Sequence, residues 1–157
     1  MRGRAITLLA VFGAALVVSG LFWILAEPGI QGAPVDELVR RRSDAVALFT
    51  LDYLFVVLYT VAGPIALGRF GTTLASARGR VPSWVALAGL LLVVGGIVDA
   101  VENTLLLTAS TSGSASSVDL GHALALPKYA LGGLGFLLSL RAVWLAVRAL
   151  RRSGVGG

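Results

Sequence analysis

Four stretches of this chain carry almost no charge: residues 5–26 (AITLLAVFGAALVVSGLFWILA), 45–67 (AVALFTLDYLFVVLYTVAGPIAL), 83–107 (SWVALAGLLLVVGGIVDAVENTLLL) and 121–147 (GHALALPKYALGGLGFLLSLRAVWLAV). Each is close to the ~20 residues a helix needs to cross the hydrocarbon core of a bilayer. A water-soluble bundle would show a charged stripe along every helix, and these segments show none. The pattern predicts an all-α fold, a polytopic membrane four-helix bundle forming one transmembrane domain over residues 1–157. Its outer loops fall at 27–44 and 108–120 and its inner loop at 68–82. Within the first loop, residues 34–43 (PVDELVRRRS) can begin a helix, with Pro34 suited to its first turn. The Ser/Thr/Gly-rich stretch TASTSGSASSVDL reads as a mobile loop. Pro64 is expected to kink or end the second helix, and Pro127 to bend the fourth. The first segment reads as a retained helix: it exceeds the ~7–15 apolar residues of a signal peptide, and bulky Ile24 spoils the best cleavage site.

Composition agrees. Of 157 residues, 57% are hydrophobic and 13% charged, against about 25% charged in a soluble domain; mean hydropathy is +0.89. The net charge of +5 is unevenly spread. Arg2 and Arg4 precede the first segment, Arg69, Arg78 and Arg80 lie between the second and third, and Arg148, Arg151 and Arg152 follow the fourth. Arg40, Arg41 and Arg42 of the first loop are offset by Glu27, Asp36, Glu37 and Asp44, and the third loop has no Lys or Arg. The positive-inside rule therefore places both termini in the cytoplasm (N-in/C-in) of a protein crossing the cell (plasma) membrane several times. Trp84 and Trp144 then fall near the inner interface and Trp23 near the outer one. The basic balance needs no nucleic-acid partner; topology and anionic membrane lipids account for it. Without cysteine there is no disulfide framework and no thiolate site.

The third segment interrupts its apolar run with IVDAVENTLLL at 97–107. Asp99, Glu102 and Asn103 are spaced i, i+3, i+4 and share one side of a helix, which Gly95 continues. Asp52 and Tyr59, seven apart, share a face of the second segment, with Tyr53 beside Asp52. Lys128, the only lysine, forms a small-and-polar stripe with Gly132, Gly135 and Ser139, a surface suited to packing in membranes. At ~1.5 Å per residue, Asp52, Asp99 and Lys128 all lie about two turns below the outer helix ends. The lone His122 lies just above them. An ionised side chain at mid-bilayer costs ~2.5–3.5 kcal/mol on insertion scales, so such groups face an interior and pair. Lys128 should pair with one carboxylate, and the surplus acids leave one carboxyl expected to hold a proton.

Asp52, Asp99, Glu102 and Lys128 are accordingly the candidates for acid–base chemistry, and Tyr53, Tyr59, Asn103 and His122 for ligand binding. Interhelical hydrogen bonding, worth on average ~0.6 kcal/mol per bond, is the competing role for such residues; it fits Asn103, Thr60, Ser19 and Ser139 best. One histidine and no cysteine argue against a zinc site, and Lys128 stands in the way of an all-carboxylate one. The glycines of GGLG at 132–135 lie inside an apolar helix and do not form a phosphate loop. No metal or cofactor is expected.

The combination of a D-Y-x-x-x-x-x-Y helix (Asp52, Tyr53, Tyr59) with a D-x-x-E-N helix (Asp99, Glu102, Asn103) resembles small bacterial four-helix integral membrane proteins. That resemblance implies the fold and carries no activity. The plan is also similar in architecture to the sterol-isomerase and sigma-2-receptor-like membrane proteins, whose intramembrane pockets bind sterol-like or amine ligands.

Three functions fit these features. One is an intramembrane polar pocket for a lipid-like or amphipathic small molecule, with isomerase or cyclase chemistry within reach of a protonated carboxyl. Another is a proton-coupled transporter or channel subunit, a homo-oligomer because four helices enclose little lumen. The third is a non-catalytic subunit of a membrane complex, its polar cluster sealing helix packing. Polar groups at one outer level, with no polar track to the cytoplasm, favour the pocket. The charge pattern itself makes a prediction: reporter fusions should find both termini cytoplasmic, and an external C-terminus would contradict it.

Overall fold

The structure, a computed structural model, describes residues 29–152; the expected first helix at 5–26, with Ser19 and Trp23, lies outside them. Among the described residues the regular elements are all helical. They are α1 (Val35–Arg40), α2 (Arg42–Val57), a π-helical turn (Leu58–Ala62), α3 (Gly63–Arg78), α4 (Ser83–Ser112) and α5 (Ala115–Arg152). Three helical stretches are long and apolar enough to cross a membrane: Arg42–Ser76, Ser83–Ser112 and Ala115–Ala149, with mean hydropathies of 2.0, 2.2 and 1.8. The described part of the chain is all-helical, with three helices of the length and hydropathy of membrane spans.

The helices run further than the apolar segments that announce them. Most of the stretch read as an inner loop, 68–82, belongs to α3, which ends only where Gly79 adopts a left-handed φ of 76° and donates its N–H to Ala75 O at 2.7 Å. The expected outer loop at 108–120 is likewise mostly helix, and only Gly113 and Ser114 separate α4 from α5. Its hydroxyls explain this. Thr108 bonds back to Thr104 O, Ser110 and Thr111 to Leu107 O, and Ser112 to Thr108 O, so each polar side chain is satisfied by its own helix. Gly113, at φ 71°, closes α4, and Ser114 Oγ accepts the Ser117 N–H at 3.3 Å to open α5.

The break expected at Pro64 takes the form of the π-helical turn just before it. Proline has no N–H to donate and crowds the preceding turn; a widened turn accommodates both and lets the chain continue as α3. α5 passes through Pro127 as unbroken helix. Before α2, Pro34 stands at the N-cap of α1, and exposed Glu37–Arg40 and Arg41–Asp44 pairs offset the arginines there.

Two apolar clusters hold the helices together. One joins Leu67, Phe70 and Leu74 of α3 to Val85, Ala88 and Leu92 of α4 and Ala142 and Ala146 of α5. The other, at the opposite end, joins Ile30, Ala33 and Leu38 to Ala45 and Phe49 of α2, Leu106 and Ala109 of α4 and Val118 of α5. Between them α4 and α5 approach backbone to backbone. A Cβ built on Gly95 would lie 3.0 Å from the Gly132 nitrogen, and one on Gly135 would lie 3.1 Å from the Leu92 nitrogen. At the first cluster's end, Arg141 stacks over Trp84 and Arg148 over Trp144, at 5.3 and 5.0 Å from the ring centroids, as basic–aromatic pairs do at an interface.

This crossing is testable. Gly95→Ala pushes a methyl against backbone that cannot rotate away, and should cost about 1–3 kcal/mol of stability. Gly133→Ala, at an exposed position where a Cβ meets no described atom within 4 Å, should be neutral. Equal thermal unfolding temperatures for the two variants would refute the close approach.

Candidate functional site

The layer between the two apolar clusters is polar, and it is built around Lys128. Its Nζ lies 3.0 Å from Asp99 Oδ1 and 3.0 Å from Glu102 Oε2. All three side chains are at most 4% exposed. The two acids stand one turn apart on α4, so their carboxylates bracket an ammonium arriving from α5. Lys128 can arrive because α5 meets α4 through glycine a turn further on, at Gly132.

Asp52, buried on α2, forms the third side. Its Oδ2 accepts from Asn103 Nδ2 at 2.7 Å. Asp99 in turn accepts from the Tyr59 hydroxyl at 2.7 Å through its other oxygen, Oδ2. Tyr59 lies in the π-helical turn, whose position is set by a second close approach: a Cβ on Gly96 would fall 1.9 Å from Thr60 Oγ1 and 3.1 Å from the Tyr59 ring. Three carboxyl groups and one ammonium thus share a space from which water is largely excluded. Asn103 Oδ1 and Thr60 Oγ1 are buried there too and accept no hydrogen bond from a described residue.

The structure therefore brings Asp52, Tyr59, Asp99, Glu102, Asn103 and Lys128 into one cluster. Two of the sequence candidates sit elsewhere. Tyr53 follows Asp52 directly, so it points about 100° away around the helix. Its hydroxyl engages Ala100 O and Thr104 Oγ1 instead. His122 stands above the cluster and donates from Nε2 to the backbone oxygen of Gln31 at 2.7 Å. The depth expected for the acids also changes. With α2 beginning at Arg42 and α4 ending at Ser112, Asp52 and Asp99 lie roughly three to four turns from those helix ends, not two.

Sequence reasoning passed over Gln31. It lies in the short connection before α1, yet it is 6% exposed. Its Nε2 donates to Asp52 Oδ2 at 3.5 Å, and its Oε1 accepts from Lys128 Nζ and the Tyr129 hydroxyl, both at 3.4 Å. The only hint is compositional: this is the chain's single glutamine, in GIQGAP, one residue after Ile30 and two before Ala33, which are both buried.

Comparison with known protein families, with curated proteins and with solved structures returns no match for this chain. The chemistry of the site therefore rests on its own geometry.

Lys128→Met would leave Asp99 and Glu102 facing each other without their cation. Removing one partner of a buried ionic set typically costs ~3–5 kcal/mol, whereas removing the whole set is often neutral. Lys128→Met alone should lower the unfolding temperature markedly, and adding Asp99→Asn and Glu102→Gln should restore most of it. A single variant as stable as the parent would contradict the ionic bracket.

Proposed function

We propose that this protein crosses the cell membrane with both termini in the cytoplasm, the 5–26 segment supplying a fourth helix. On this reading the polar layer is an intramembrane binding site for a lipid-like or amphipathic small molecule, set below the outer surface. What supports this most is the charge count in the buried layer. One lysine faces three carboxyl groups drawn from two helices, more acid than packing alone requires. A structural ion pair is complete with one acid and one base, and each further buried carboxyl adds a desolvation cost.

In this reading the Asp99–Lys128–Glu102 bracket fixes charge in place, while Asp52, Asn103 and Tyr59 present hydrogen-bonding groups to the ligand's polar end. A carboxyl that carries a proton in such a site can donate it and take it back, which is what isomerisation or cyclisation of an unsaturated lipid would use. On this topology the apolar cluster of Leu67, Phe70, Leu74, Val85 and Leu92 lies toward the cytoplasm. That favours a pocket over a proton-conducting path through the protein.

The experiment is a mass spectrum of the lipids retained by the purified protein, beside Asp99→Asn and Glu102→Gln, with unfolding temperatures measured on the same samples. The pocket reading expects an amphiphile enriched over bulk lipid in the parent and lost from variants that remain folded. The same extract from all three, with stability unchanged or raised, would reduce the cluster to packing.

A further inference from the structure

Residues 53–98 and 120–157 contain no Asp or Glu, yet they hold seven arginines. Among the described residues, Arg80, Arg141 and Arg148 have no carboxylate within ion-pair distance. Arg141 is held on the Trp84 ring instead, 5.3 Å from its centroid. Such stacking occupies the face of a guanidinium and leaves its N–H edge to bond an anion. Trp84 also lines a cleft of about 530 Å³ at the α3–α4 turn, together with Arg80, Val81, Pro82 and Ser83. That volume is within the ~300–1,000 Å³ of small-molecule sites. Arg80, Val81 and Ser83 are exposed, so the cleft opens outward, between the end of one candidate span at Ser76 and the start of the next at Ser83. Arg141 lies inside the α5 span, eight residues before its end at Ala149, or ~12 Å along the axis. A guanidinium at that depth calls for a counter-charge, and the chain on either side of it holds no acid. Beside these groups the surface is apolar. Leu87 continues the Trp84 side of α4, and Leu137 and Leu134 continue the Arg141 side of α5; all three are exposed.

From this we infer that the cleft at the α3–α4 turn is a binding site for one anionic phospholipid, its phosphate held between Arg80 and Arg141 and its acyl chains laid along Leu87, Leu134 and Leu137. The inference rests on the chain spanning a membrane and is independent of the pocket in the polar layer. Charge complementarity selects the headgroup. Two guanidiniums with no carboxylate beside them favour a phosphate, which a guanidinium can bond through two N–H groups at once. A zwitterionic headgroup brings an ammonium as well, and that group finds no acid here to stand against. Inorganic phosphate shares the anion's chemistry but gains nothing from the leucines, so a lipid is the occupant. Its phosphate supplies the counter-charge that Arg141 lacks within its own chain.

The test measures binding of radiolabelled dioleoyl phosphatidylglycerol to the full-length protein in uncharged detergent micelles, with dioleoyl phosphatidylcholine and inorganic phosphate as competitors. The variants are Arg80→Gln, Arg141→Gln, Arg141→Lys and Arg40→Gln, all at exposed positions, so each should keep the parent's unfolding temperature. Phosphatidylglycerol should bind saturably. Arg80→Gln and Arg141→Gln should each weaken it about tenfold, the loss of one hydrogen bond between charged groups. Arg141→Lys should weaken it too, because an ammonium keeps the charge but loses the planar fork. Arg40→Gln removes the same charge from the opposite end of the bundle and should leave binding unchanged. Phosphatidylcholine and a large excess of inorganic phosphate should compete poorly. Equal competition by phosphatidylcholine, or equal weakening by Arg40→Gln and Arg141→Gln, would reduce the effect to general charge attraction and overturn the site. Displacement by inorganic phosphate would overturn a lipid as the occupant. No saturable binding, or parent-like binding by both glutamine variants, would overturn the inference outright. Each of these outcomes leaves the reading of the polar layer as it stands.

Discussion

An ammonium inside a bilayer must be bracketed by negative charge or it does not stay charged, and the architecture around Lys128 follows from that constraint. The bracket needs two carboxylates on one side, which α4 supplies one turn apart at Asp99 and Glu102. It needs α5 close enough for Lys128 to reach them, at 3.0 Å from each. That closeness requires Gly95 against Gly132, since a Cβ at residue 95 would sit 3.0 Å from backbone nitrogen. The small residues of α5 are thus coupled to the charge of Lys128: bulkier residues at the crossing would separate the ions as well as the helices.

The second acid group adds a different demand. Asp52 comes from α2, and it is tied to α4 by Asn103 and to the connection before α1 by Gln31. Tyr59 binds Asp99 from a π-helical turn that Pro64 induces and Gly96 makes room for. A backbone irregularity here positions a hydroxyl against a buried carboxyl, a common use of π-helical turns near functional sites. Apolar clusters on both sides supply the packing, so the polar layer need not contribute net stability for the fold to persist.

Much of this layer is visible in the sequence because helical spacing and depth are periodic quantities. Asp99, Glu102 and Asn103 share a face by arithmetic, and Lys128, Gly132, Gly135 and Ser139 form the stripe that packs on α4. The same arithmetic could exclude Tyr53, one residue from Asp52 and therefore on another face. The helix ends were less legible. Residues 108–112 and 115–120 look like loop by composition, but Thr108, Ser110, Thr111 and Ser112 bond back into α4 and Ser116 and Ser117 bond Ser114 just before α5, which composition does not reveal. Gln31 is the hardest case: its place over the cluster depends on a non-periodic turn anchored by His122 and by Ile30, and no spacing rule connects residue 31 with residues 52 and 128.

The central claim is that Lys128 is held between Asp99 and Glu102 within the membrane, and the protein's single lysine makes this directly measurable. With lysine labelled at the side-chain nitrogen and aspartate and glutamate labelled at their carboxyl carbons, solid-state NMR in lipid bilayers sees one ammonium signal. Its dipolar coupling should report contact with one aspartate and one glutamate carboxyl carbon, each lost selectively in Asp99→Asn or Glu102→Gln. A lysine signal with no carboxyl coupling, or coupling untouched by both substitutions, would contradict the account.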